Sequence, residues 1–114
     1  MKTIFVYGTL KQGRGNNYLL RHSEFLGKAS TAPAYRLSGG GIPFLWHGSA
    51  RVIGELYRVD DVTLQSVDRL EGHPDWYRRQ PVVIEGREEE DIEAYFCPVD
   101  RGVYEGDTHE FGKR

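Results

Sequence analysis

The sequence contains one cysteine, Cys97, which excludes an internal disulfide and fits a reducing compartment. An excess of one charge sign is also missing: 15 Lys and Arg stand against 17 Asp and Glu, a net charge of −2, and the signs are interspersed. Nucleic-acid binders carry a basic stripe. The pair Arg78-Arg79 is too short to form one, so no nucleic-acid partner is expected. Long apolar runs are absent as well. The N-terminal stretch Ile4 to Tyr7 falls far below the roughly 7–15 residues of a signal-peptide core or the ~20 of a membrane span. These absences predict a soluble, cytoplasmic chain without a membrane partner.

Several chemistries lack their motifs. His22, His47, His73 and His109 are scattered, none at metal-ligand spacing, so no metal is expected. There is no GxSxG elbow for a serine nucleophile and no GxGxxG dinucleotide fingerprint. Cys97, inside Tyr95-Phe96-Cys97-Pro98, reads as a buried packing residue. The run Glu88-Glu89-Glu90-Asp91 reads as a solvated hairpin turn.

What is present is ordinary for a globular chain: 114 residues, 39% hydrophobic and 28% charged. That length can bury a core without staples, and residues 1–114 read as one domain. Ile4 to Tyr7 reads as a buried strand ended by Gly8. Asn16-Asn17 offers a helix cap before a short helix at Tyr18-Leu19-Leu20. Phe25 to Leu37 reads as strand, turn at Thr31 to Pro33, and strand, followed by a flexible Gly39-Gly40-Gly41 connection. Pro43 marks a strand edge or start within Ile42 to Trp46, since proline cannot donate to a ladder. Arg51 to Tyr57 alternates as a strand. Asp60 or Asp61 then caps a helix running to about Leu70 and closed by Gly72. Strands near Tyr77 to Ile84 and Ile92 to Phe96 complete about six strands and two short helices. Helices do not alternate with strands, so the fold class is α+β with a mixed, partly closed β-barrel.

Two places offer chemistry. The segment from Val6 to Asn16 is a strand, a glycine-rich loop and a helix, a layout that presents backbone N–H groups to an anion. Gly8 and Gly13 have the separation of a phosphate loop, but Arg14 and Gly15 stand where that motif needs Lys and Ser or Thr. A tight turn that merely uses glycine remains the alternative. The second place is Glu71. It lies seven residues after Leu64 and four after Val67, which puts it near the apolar stripe Leu64, Val67, Leu70. Desolvation there and the helix C-terminus both raise a carboxylate pKa toward the range of a general base or acid. The alternative is a Glu71 swung outward to pair with Arg69, Arg78 or Arg79. Trp76 and Tyr77 are candidates to stack in a pocket, with a core role expected for at least one.

Together these segments resemble a known family. Phe5-Val6-Tyr7-Gly8-Thr9-Leu10-Lys11 with Gly15-Asn16 is similar to the opening signature of gamma-glutamylcyclotransferase-like proteins. Val67-Asp68-Arg69-Leu70-Glu71-Gly72, followed by Tyr77-Arg78-Arg79, resembles the region of that family's catalytic glutamate. Gly54-Glu55-Leu56-Tyr57 is similar to the strand leading into the catalytic helix, and the likeness is greatest to the gamma-glutamylamine cyclotransferase, AIG2-like branch. The resemblance implies a small α+β fold with a partly closed mixed barrel. It also implies a small gamma-glutamyl substrate whose alpha-carboxylate is held by backbone groups of Tyr7, Gly8, Thr9 and Leu10, with Tyr77 nearby. Glu71 would move the proton as the alpha-amine attacks the gamma-carbonyl, giving 5-oxoproline and a free amine without metal or cofactor. Gamma-glutamyl amino acids or a carrier-bound gamma-glutamyl group are the alternative substrates. A silent domain that binds a small carboxylate ligand is the alternative function.

Overall fold

The computed structural model describes residues 1–38, 43–97 and 108–110. Its organising strand is β1 (Lys2–Val6), whose side chains alternate between two cores. Phe5 enters one hydrophobic cluster with Leu37, Leu45, Val52, Leu56, Ile92 and Phe96. Ile4 and Val6 enter the other with Leu20, Tyr57, Val59, Val67, Tyr95 and Cys97. A strand covered on both faces reads as a continuous apolar run, as Ile4 to Tyr7 does.

β1 pairs antiparallel with β5 (Arg51–Val59) and parallel with β7 (Ile92–Phe96). β2 (Glu24–Ser30) lies antiparallel to β5, with a bulge between Phe25 and Gly27. β4 (Phe44–His47) meets β7 in parallel, and β3 (Tyr35–Ser38) covers β4. These six strands form the path β2-β5-β1-β7-β4-β3, while β6 (Arg78–Pro81) runs beside β7 and β8 (Thr108–His109) beside β5. Ala32 N–H donates to Val83 O and Glu85 N–H donates to Ser30 O, each at 2.9 Å. Those bonds bring the far edge of β2 to the chain after β6, and the mixed sheet curls into a partly closed barrel. Pro43 directly precedes β4, and the acidic run 88–91 is exposed between β6 and β7.

The one α-helix among the described residues, α1 (Asp61–Glu71), begins as its sequence dictates. The Asp60 side chain accepts the Thr63 N–H at 2.8 Å. Gly72, at φ 68° in the left-handed region, ends the helix, and His73 N–H donates back to Asp68 O at 2.9 Å. Two expectations need correction. The apolar stripe Leu64, Val67, Leu70 is uneven: Val67 is fully buried, but Leu70 is 42% exposed. The expected first helix is a single 3₁₀ turn at Asn17–Leu20 without a side-chain cap. Asn16 and Asn17 direct their amides to the preceding loop instead, which leaves no cap to nucleate an α-helix. Gly39 to Gly41 and the tail from Val103 to Asp107 lie outside the described residues. No helix among the described residues is long and apolar enough to cross a membrane.

Candidate active site

The loop that leaves β1 is fixed from within. Lys11 N–H donates to Gly8 O (3.1 Å), and Asn16 N–H donates to Thr9 O (3.0 Å). Asn16 Nδ2 donates to Thr9 Oγ1 (2.8 Å), while Asn17 Nδ2 donates to Leu10 O (2.8 Å) and to Tyr57 OH (3.1 Å). From β5, the buried Glu55 carboxylate accepts Gln12 N–H at 2.8 Å. The carbonyl groups of Gly8, Thr9 and Leu10 are thus engaged, whereas the N–H groups of the same three residues meet no acceptor among the described residues. Gly8 must be glycine for a steric reason: a Cβ there would stand 2.8 Å from Pro43 Cγ.

Opposite the loop stands Glu71. The two line one cavity of about 220 Å³ together with Phe5, Asn16, Pro43, Leu70, Tyr77 and Tyr95. That is below the roughly 300–1,000 Å³ of sites for drug-sized molecules, so it suits a ligand of amino-acid size. Glu71 is half-buried, and burial pushes its carboxyl up from the ordinary 4.5 to about 7. The outward alternative is not what the structure holds. Arg79 engages Asp68 and Glu93, Arg69 and Arg78 are exposed, and no ion pair reaches Glu71 among the described residues.

Tyrosine rings wall the cavity while their hydroxyls hold the protein together. Tyr7 OH donates to Tyr95 O at 2.7 Å and accepts Leu45 N–H at 3.3 Å, and its burial raises the phenol pKa well above the usual value. Tyr77 OH donates to Pro43 O at 2.7 Å, and its ring stacks on Phe44 with centroids 5.6 Å apart. Tyr95 OH donates to Asp68 Oδ1 at 2.6 Å. Tyr7 and Tyr77 therefore offer a ligand shape and apolar surface rather than hydroxyl donors.

The structure thus gathers Tyr7, Gly8, Thr9, Leu10, Glu71 and Tyr77 around one space. Trp76 lies outside that lining and is 50% exposed. Among the described residues no cluster of His, Cys, Asp and Glu is disposed to hold a metal. His73 Nδ1 accepts Arg79 N–H (3.0 Å), His47 stacks on Tyr35 and Phe96, and Cys97 is buried. Sequence reasoning did not find Pro43 and Leu70 as cavity walls, or Glu55 as the anchor of the loop. The position of a carboxylate in the strand between Gly54 and Leu56 was the available signal for Glu55.

Solved structures share the fold. An uncharacterised protein of Pyrococcus horikoshii superposes with a TM-score of 0.77 at 25% identity, over 90% of this chain and 84% of that one. An AIG2-like protein of Mus musculus superposes with a TM-score of 0.73 at 26% identity, over 99% and 97%. A Methanocaldococcus jannaschii relative, provisionally named a gamma-glutamylcyclotransferase, is 40% identical and covers 90% of each chain. The gamma-glutamylaminecyclotransferase B of Danio rerio is 41% identical over 84% of this chain and 58% of its own length. The family described as gamma-glutamyl cyclotransferase, AIG2-like, matches residues 4–111, a stretch that takes in the loop, both cores and the helix carrying Glu71. With sequence, fold and cavity all within that match, the chain belongs to the gamma-glutamyl cyclotransferase, AIG2-like family.

Proposed function

We propose that the protein is an enzyme that cyclises a gamma-glutamyl amide, releasing 5-oxoproline and a free amine. One observation carries this reading: the half-buried Glu71 carboxyl, raised to about 7, lines the same cavity as the loop Tyr7 to Leu10. The loop N–H groups bind the alpha-carboxylate of the substrate, and the ring faces of Tyr7 and Tyr77 confine the gamma-glutamyl chain in a folded form. Folding the chain is the main demand, because the attack is intramolecular. The alpha-amine nitrogen bonds to the gamma-carbonyl carbon, closing the five-membered lactam, and the bond from that carbon to the leaving nitrogen breaks. Glu71 takes a proton from the attacking nitrogen and delivers one to the departing nitrogen. Atoms and charge balance without an oxidant or co-substrate. Charge that develops on the carbonyl oxygen meets a further N–H of the same loop.

Two features support a gamma-glutamylamine as substrate. The Danio rerio relative bears that activity in its name. Among the described lining residues Glu71 is the one charged side chain, so a carboxylate on the leaving group meets no counter-charge, whereas Pro43, Leu70 and Tyr77 suit an apolar amine. The reducing cytoplasm is the proposed setting, in keeping with the buried thiol of Cys97.

The test is 5-oxoproline release from a panel of gamma-glutamyl amines, amino acids and peptides, with Glu71→Gln alongside. Turnover of amines that is lost in the variant is the expected result. Retained turnover in Glu71→Gln would sink the mechanism. No turnover from folded wild type, with a bound carboxylate ligand detected by calorimetry, would make the protein a ligand-binding domain.

A further inference from the structure

Apolar contact holds α1 only loosely. Val67 is its one buried residue, Leu64 packs only partly buried against the same core, and Leu70, one turn on from Val67, is half in solvent at the cavity rim. Charged groups supply what the apolar face lacks. Asp68, three residues before Glu71, presents both carboxylate oxygens to Arg79 Nη1 and accepts the Tyr95 hydroxyl. Arg79 Nε donates to Glu93 Oε1 on β7 at 2.9 Å. Its backbone N–H donates to His73 Nδ1 at 3.0 Å, in the turn that follows Glu71. One residue thus grips the helix, the sheet and the turn between them. Tyr95 links this assembly to the loop, because its carbonyl accepts the Tyr7 hydroxyl. Three residues along a helix is less than one turn, so whatever moves Asp68 carries Glu71 with it.

We infer that Arg79 is a positioning residue: through Asp68 and Tyr95 it sets the separation between the Glu71 carboxylate and the loop Tyr7 to Leu10. The inference rests on the proposed role of Glu71. Lysine reproduces only part of the arrangement, since a single ammonium on a flexible stem keeps a charge near Asp68 without the planar fork that also reaches Glu93.

Steady-state kinetics of 5-oxoproline release tests this. Arg79→Met lowers kcat by about 100-fold, the size of effect expected from a misplacement near 1 Å, while KM stays close to wild type because the loop keeps its own bonds. Arg79→Lys recovers part of the lost kcat. Tyr95→Phe removes one hydroxyl and keeps the ring, so it lowers kcat by a smaller factor, and it carries the test if Arg79→Met does not fold. Lys2→Met is the control. It cuts the ion pairs to Asp91 and Glu93 at the outer end of the same charge chain, and it lowers Tm while leaving kcat unchanged. Wild-type kcat in folded Arg79→Met, or in Tyr95→Phe if the former is unfolded, overturns the inference. An equal kcat loss in Lys2→Met does so too, because the network would then be a stability device alone. An inactive Glu71→Gln beside a fully active Arg79→Met removes the inference and leaves the proposed reaction standing. A wild type that releases no 5-oxoproline removes both.

Discussion

The two walls of the cavity are built by different means. The loop wall, residues 7–17, is held mostly by bonds between neighbours in the chain, the backbone turns and the amides of Asn16 and Asn17, with the Glu55 carboxylate of β5 on Gln12 N–H as a more distant anchor. The helix wall is held by one fully buried side chain, Val67, which contributes on the order of 1.5–3 kcal/mol, by the partly buried Leu64, and by Arg79 of β6 and the Tyr95 hydroxyl of β7, which meet on Asp68. The first arrangement keeps a set of N–H groups in a fixed constellation. The second lets a carboxylate sit half-buried without a cation on it. In the proposed reaction, binding and proton transfer make opposite electrostatic demands, and each wall would meet one of them.

The largest predicted effect is on the helix wall. Glu71→Gln lowers turnover by about 10²–10⁴-fold, the usual worth of an acid–base group, while affinity for a gamma-glutamyl ligand, read by calorimetry, stays near wild type. Because the free enzyme must hold Glu71 as a carboxylate to accept a proton, kcat/KM falls as pH drops through about 7. A flat profile from pH 5.5 to 8 would exclude Glu71 as the base.

The same group sets a smaller, opposite effect on stability. Its pKa is raised on folding, so between 4.5 and about 7 the native state keeps a proton that the unfolded chain has released. Stability therefore declines as pH rises through that window, by up to ~3 kcal/mol, and the full cost is present above it. Glu71→Gln removes the titration. Urea unfolding should find the variant more stable than wild type at pH 8, with the gap closing toward pH 4.5. Function and stability then pull against each other at one residue.

The loop wall answers differently. Asn17→Ala deletes the donor shared by Leu10 O and Tyr57 OH. Each such bond is worth about 1 kcal/mol, so loss of both raises KM by about 30-fold at most while kcat changes less. If Asn17→Ala lowered kcat and spared KM, the division between a binding wall and a proton-transfer wall would fail.

The legibility of the two walls in the sequence follows from the same contrast. The loop is largely a local structure: glycines after an apolar strand marked the segment Val6 to Asn16 as an anion site or a tight turn, and only the family resemblance narrowed it to Tyr7 to Leu10. Helix periodicity is local as well and put Glu71 near the side of Val67, but it left an outward pairing with arginine open, which the fold and not the spacing decides. The remainder depends on contacts between residues far apart in the chain. Arg79 meets Glu93 only because β6 and β7 return beside each other, so the pairing that draws Arg79 away from Glu71 was not readable from residues 60–80. Leu70 was misplaced because periodicity gives a face but not where the partner surface ends; here it ends at the cavity. Asn16-Asn17 had the composition of a cap, and the loop carbonyls and hydroxyl within reach took those amides first.

The smallest predicted effect tests whether the two ends of α1 are independent. Asp60 caps the N-terminus through Thr63 N–H, some ten residues from Glu71, while the Asp68 contacts with Arg79 and Tyr95 fix the other end. Asp60→Ala frays the first turn and lowers Tm by a few degrees, as loss of an N-cap does. Because Asp68 and Val67 hold the last turns separately, kcat and KM stay at wild-type values well below the new Tm. A drop in kcat on Asp60→Ala would mean that α1 moves as one rigid rod. Glu71 would then be placed by the whole helix rather than by its last turn.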